Sequence, residues 1–123
     1  FVNCRNTGAL PVPFTATLRT DASVVNPCIL NVITGERIRI LTTLTQEQTI
    51  EIYRTTTDQL AVKRTEHQVE ENIFALLDED SDLVELAPGD NPLKTEADSN
   101  VDNLQATVTF YPMYSGILPE VIA

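Results

Sequence analysis

Asp78, Asp80 and Asp82 stand at alternate positions, the D-x-D-x-D spacing that opens an EF-hand type of calcium loop. The rest of that loop is not there. Leu83 stands where the loop needs Gly, and Gly89 where it needs a bidentate Glu. Oxygens at alternate positions could still hold calcium in a looser loop, so these three residues are a weak calcium candidate beside the plainer reading of a solvated acidic turn. Asp98, Asn100 and Asp102 repeat the pattern more faintly, with Asn103 at the Gly position and Thr109 at the last. His67 is the one histidine and lies in a charged run with Glu66, Glu70 and Glu71. A nucleophile–His–acid triad needs a presented Ser or Cys. Ser23, Ser81, Ser99 and Ser115 lie in loop-like sequence without a G-x-S-x-G context, and Cys4 and Cys28 fall in strand-like runs. One His and two separated Cys do not make a structural zinc site. No catalytic residue, metal or cofactor is expected.

Acids are abundant enough that a pair of carboxylates for glycoside hydrolysis is not excluded by composition. Aromatic platforms for sugar are scarce, because the chain has no Trp and three Tyr. Tyr53, Tyr111 and Tyr114 are the candidates for sugar stacking or partner contact, with an exposed sheet face as the sober alternative for the first two. Four unclustered glycines do not make a phosphate-cradling loop.

The totals narrow the field further. With 123 residues the chain is expected to form one domain that buries about two-thirds of its unfolded surface without metal or disulfide. Eighteen Asp and Glu against eight Lys and Arg give a net charge of −10. That balance argues against nucleic acid and anionic membrane as partners, because phosphate contacts need clustered Lys and Arg. No apolar run approaches the roughly 18 residues of a membrane span, and no leader pattern is present. A first residue of Phe instead of Met reads as a piece of a longer protein. The two cysteines are expected to be packed thiols, with a Cys4–Cys28 bridge open if their strands pair.

What must position these residues is a set of short strands organised around residues 26–65. Thr34-Gly35 separates PCILNVI from ERIRIL. A three-residue loop with Gly35 left-handed sets Leu30 against Ile38 and Cys28 against Ile40. Cys28, Leu30, Val32, Ile38 and Ile40 then share the buried face, while Arg37 and Arg39 point away. In the second hairpin Ile50 and Ile52 face inward with Leu60 and Val62. Pairing Ile52 with Val62 leaves a TTTDQ loop and sets Glu51 opposite Lys63. Alternation over PVPFTATLRT and NLQATVTFYP predicts two more half-buried strands, and 1–5 and 91–97 predict others. The run 66–72 reads as a wide loop or one helical turn, IFALL (73–77) as a strand, and 80–82 as a cap on a short helical turn over 83–86. Residues 112–123 read as an irregular apolar tail. About eight strands near ten-residue spacing predict an all-β, antiparallel β-sandwich.

Several pieces, in this order, resemble the C-terminal region of siphovirus-type distal tail proteins. They are Asn6-Thr7-Gly8 with Pro11-Val12-Pro13, NPCILNVITGERIRI (26–40), the TIEIY run, DSDLVELAPGDNPL (80–93) and VTFYPMYSGI (108–117). The order of the pieces carries the resemblance, since each alone is a strand-and-turn signature. Arg54-Thr55 follows Tyr53 where the family often has Asp-Thr, and EHQVEENIFALLDED is particular to this chain. The resemblance implies a jelly-roll or galectin-like sandwich over residues 1–123 and no catalytic residues. It also implies that an N-terminal part of the longer protein forms a homo-oligomeric ring, while this part, monomeric when isolated, contacts baseplate or receptor-binding proteins. The virion tail, and the host cytoplasm during assembly, is the expected location. A carbohydrate-binding module recognising host saccharide is the alternative, because the same type of sandwich carries sugar-binding sites and fold does not settle function. The expected partner surface is two acidic loops without a folding role, carrying Glu66, Glu70 and Glu71, and Asp78, Asp80 and Asp82.

Overall fold

A computed structural model describes residues 2–113. The strands are β1 (Val2–Asn6), β2 (Thr15–Thr20), β3 (Val24–Val25), β4 (Cys28–Asn31), β5 (Arg37–Arg39) and β6 (Thr43–Leu44), followed by β7 (Gln48–Arg54), β8 (Leu60–Glu66), β9 (Val69–Asn72), β10 (Gly89–Glu96) and β11 (Leu104–Thr109). Every pairing is antiparallel. One sheet has the order β1-β10-β4-β5, the other β11-β2-β7-β8-β9, and β3 pairs with β6. The facing sides bury Ala16, Leu18, Ile50, Ile52 and Val62 from the five-stranded sheet against Ile29, Ile38 and Leu93 from the four-stranded one. This is an all-β sandwich of the expected class, with alternation supplying one apolar face per sheet.

The second hairpin has the expected register. Ile52 pairs with Val62, Glu51 with Lys63 and Arg54 with Leu60. Lys63 Nζ lies 3.7 Å from Glu51 and 3.5 Å from Glu70. Glu51 first, then Glu70, holds the lysine pKa above its ordinary value.

The first hairpin is shifted by one residue from the expected register. Ile29, not Leu30, pairs with Ile38, and Cys28 pairs with Arg39. Asn31 explains the shift. It is buried, and its Oδ1 accepts from Ile33 N and Thr34 N at 2.9 and 3.2 Å. Asn31 N donates to Glu36 O, and Gly35 N to Asn31 O. The side chain thus organises a four-residue loop, 32–35, in which Val32 is exposed and Gly35 has φ of 77°. Arg37 and Arg39 do point away from the core, but Arg39 is only half-exposed.

Cys28 shares its outward face with its cross-strand neighbours Arg39 and Glu96, and it is nevertheless buried. Cys4 faces the core from β1, and β10 lies between the two strands. Both are free thiols. Burial pushes both pKa values up, a push that Arg39 partly offsets at Cys28, so neither is an activated nucleophile. Reductant is therefore expected to leave the melting temperature unchanged. A bridge would contribute roughly 3 kcal/mol, so a clear fall in Tm under reduction would contradict this arrangement.

Three further expectations are corrected between β8 and β10. Residues 66–72 are neither a wide loop nor a helical turn, because they close β8 and form β9. His67 and Gln68 make the two-residue turn between them, both at positive φ (50° and 68°). Residues 74–76 of the IFALL run form a 3-10 turn instead of a strand. Residues 83–86 are extended, not helical, and Leu86 bridges to Val12 through backbone bonds of 2.8 and 3.0 Å. Of the expected tail, Pro112 and Met113 lie outside any strand, and residues 114–123 are outside the described residues.

Candidate functional site

The chain leaves β9, the edge of one sheet, and crosses the side of the sandwich to β5, the edge of the other. Ile73 anchors the start of this crossing in the core, with its N–H donating to Val62 O at 3.0 Å. Asn72 Oδ1 accepts from Phe74 N at 2.9 Å, which sets the 3-10 turn. Residues 78–82 then run along β5. Asp78 N donates to Arg39 O at 2.9 Å and Asp82 N to Arg37 O at 2.7 Å. Arg39 N donates to Ser81 Oγ at 3.0 Å and Arg37 N to Asp82 Oδ2 at 3.1 Å. An edge strand whose amides would otherwise face solvent is sealed.

These bonds correct the expectation that residues 78–82 have no folding role. The Asp82 carboxylate holds the edge of the sheet, and Asp78 Oδ1 accepts from Asp80 N at 3.1 Å. Asp80 is exposed, and Glu79 beside it. Among the described residues, no three His, Cys, Asp or Glu side chains are gathered in a way that could hold a metal ion. Of the three alternating carboxylates, Asp78 bonds the loop's own backbone and Asp82 bonds β5, while Asp80 is left to solvent.

The acids of the β8–β9 hairpin are also engaged. Gln48 Nε2 donates to Glu66 at 2.9 Å, Lys63 to Glu70 at 3.5 Å, and Arg64 Nη2 to Glu71 at 2.6 Å. His67 Nε2 lies 3.2 Å from Glu47, a pair exposed on both sides and distant in kind from a His–nucleophile contact. Ser81 Oγ is taken up by Arg39. All of these acidic contacts are near water and weak singly. Together they make a negatively charged side.

Sequence reading missed three buried asparagines, Asn6, Asn31 and Asn91, all on strands of the four-stranded sheet. Asn6 Nδ2 donates to Leu10 O and Leu86 O, both at 2.9 Å, and its Oδ1 accepts from Gly8 N. Asn91 Nδ2 reaches Cys4 O, Ala87 O and Gly89 O at 3.1, 2.7 and 3.1 Å, and Oδ1 accepts from Ala87 N at 3.0 Å. The signal was available. Each of these asparagines lies within four residues of a glycine, at the mouth of a turn. Gly8 itself admits no side chain, because a Cβ there would stand 2.2 Å from Met113 O.

Among the described residues, Tyr53 and Tyr111 stand in different surroundings. Tyr53 is half-buried with Lys63 Nζ 5.5 Å from its ring centre, where a stacked sugar would compete. Tyr111 is 79% exposed and lines a shallow cleft with Pro13, Phe14 and Arg54. Tyr114 is outside the described residues.

Among the described residues, the strands and side chains therefore define an antiparallel sandwich whose buried asparagines bond its turns and which carries an acidic surface. A family model, siphovirus-type tail component, C-terminal domain, matches residues 7–114, and the chain belongs to that family. This is the family whose order of motifs the sequence carries, and it makes the chain a phage tail component. No curated protein and no solved structure matches at a significant level. No helix among the described residues is long and apolar enough to cross a membrane.

Proposed function

We propose that this chain is a noncatalytic sandwich of a distal tail protein, galectin-like in kind, which makes protein contacts at the tail tip during assembly or host attachment. Residues 1–123 act as one domain, the C-terminal part of a longer protein whose other part forms a ring. The isolated domain is monomeric. Its partners are other tail, baseplate or receptor-binding proteins, met first in the host cytoplasm during assembly and then in the virion tail. The observation that carries this reading is the family match over residues 7–114, on a scaffold whose two thiols have raised pKa values and whose histidine lies at the surface beside Glu47.

The contact surface is the acidic side, where Glu66, Glu70, Glu71 and Asp80 face water. Acidic rims mainly set association rate and its dependence on salt. Replacing Glu70 and Glu71 by Gln and Asp80 by Asn is expected to slow association with a purified baseplate or receptor-binding protein about tenfold at low salt. Melting should stay close to that of the parent chain. Biosensor kinetics over a salt series measure both effects, and a salt-insensitive association unchanged by the triple substitution would refute the proposal. Asp78 and Asp82 are left intact because they hold the loop. Tyr111 supports a second reading, saccharide binding in the cleft beside Phe14. A glycan-array signal lost on Tyr111→Ala would promote it.

A further inference from the structure

We infer that the side of the sandwich between β8 and the crossing segment is a docking cleft for a protein segment that presents an apolar side chain flanked by Lys or Arg. This deepens the reading of a tail-contact domain and rests on it. The cleft is lined by Leu60, Ala61, Asn72, Phe74 and Leu83, with Asp58 on its rim. Phe74 is 47% and Leu83 51% exposed, although each adjoins a residue locked in the core.

Their outward direction is built in. Ile73 is buried and bonded to Val62 O, and Asn72 caps the Phe74 amide, so the ring is held at the surface by its neighbours. Leu83 lies in extended chain between Asp82, bonded through N–H and carboxylate to Arg37, and Val84, which is 3% exposed. Alternation along extended chain sends Leu83 away from the core. Two large apolar groups held at the surface by bonded backbone have the character of interface anchors, since little backbone freedom is left to lose on binding.

Charge selects the occupant. Residues 65–93 contain nine Asp or Glu and no Lys or Arg. The cations beside the cleft are already engaged: Arg54 with Asp58 at 2.9 Å and Glu85 at 3.4 Å, Lys63 with Glu51 and Glu70, and Arg64 with Glu71. A second copy of this chain would bring a net charge of −10 to a surface of the same sign. A basic, apolar-tipped segment of another tail protein meets both features at once.

The test places a photoreactive benzoylphenylalanine at Leu83, and separately at Gln105, which is exposed on β11, in full-length protein assembled into tails. Crosslinks from Leu83 to another tail protein, at an apolar residue with Lys or Arg within about three positions, are the expected result. Leu83→Ser in the same tails should weaken the association of that protein at least tenfold by raising its dissociation rate, with the melting temperature of the domain unchanged. Crosslinks from Leu83 to a second copy, to an acidic segment or to nothing overturn the inference. If Gln105 crosslinks to tail proteins while Leu83 does not, the tail role stands and the cleft is wrong. If the protein does not enter tails at all, the functional reading itself fails.

Discussion

Ile29→Ala is expected to destabilise the protein by about 2–5 kcal/mol, while Leu30→Ala costs less than half as much. Ile29 is 1% exposed and pairs with the equally buried Ile38 across the facing surface of the four-stranded sheet. Leu30 is half-exposed on the other side, opposite Arg37. Truncation at Ile29 removes apolar area and leaves a cavity that a sheet held from both sides cannot collapse. Urea denaturation of the two variants measures the contrast. Equal costs, or a larger one at Leu30, would mean that the hairpin has the register read from alternation alone and that Asn31 does not set the turn.

Asn91→Asp is expected to cost about 3–5 kcal/mol at neutral pH, more than Asn91→Ala. The amide Nδ2 lies among three carbonyl oxygens, those of Cys4, Ala87 and Gly89. A carboxylate placed there has no proton to donate and repels all three. The folded state therefore favours the protonated acid, which raises the folded pKa above the unfolded one. With that sign, the deficit relative to the parent is smallest below the unfolded pKa of about 4 and grows as pH rises through the folded pKa. Paired urea titrations between acid and neutral pH read the difference directly. A deficit independent of pH, or growing on acidification, would show that Asn91 is not the donor in this network.

The two hairpins show where sequence reading succeeds. In β7–β8, Ile50 and Ile52 on one strand and Leu60 and Val62 on the other alternate with polar or small residues, and a Glu–Lys pair agrees with the same register, so every level gave one answer. In β4–β5 a polar Asn31 takes an inward place and Cys28 is buried on the outer face beneath Arg39. Apolar counting then favours the wrong register by one residue. The β8–β9 turn escaped notice because His67-Gln68 adopts positive φ without the Asn-Gly that normally announces such a turn. IFALL is too short for its period to separate strand from turn, and of its five residues only Ile73 is fully buried, with Leu76 and Leu77 packed half-buried against the core. The acidic candidates were visible as charges. Asp82 and Asp78 hold backbone and Asp80 and Glu79 do not, and the role of Asp82 depends on an edge strand far off in sequence.

The way residues 78–82 attach to β5 also separates what inheritance must preserve from what it is free to alter. The segment is fastened by main-chain bonds and by the short side chains of Ser81 and Asp82. Glu79, Asp80 and Leu83 take no part in that fastening, so the sandwich tolerates replacements there as it would in any surface loop. For a phage tail component, this is a place where mutation can alter the surface generation after generation while the scaffold beneath keeps its shape.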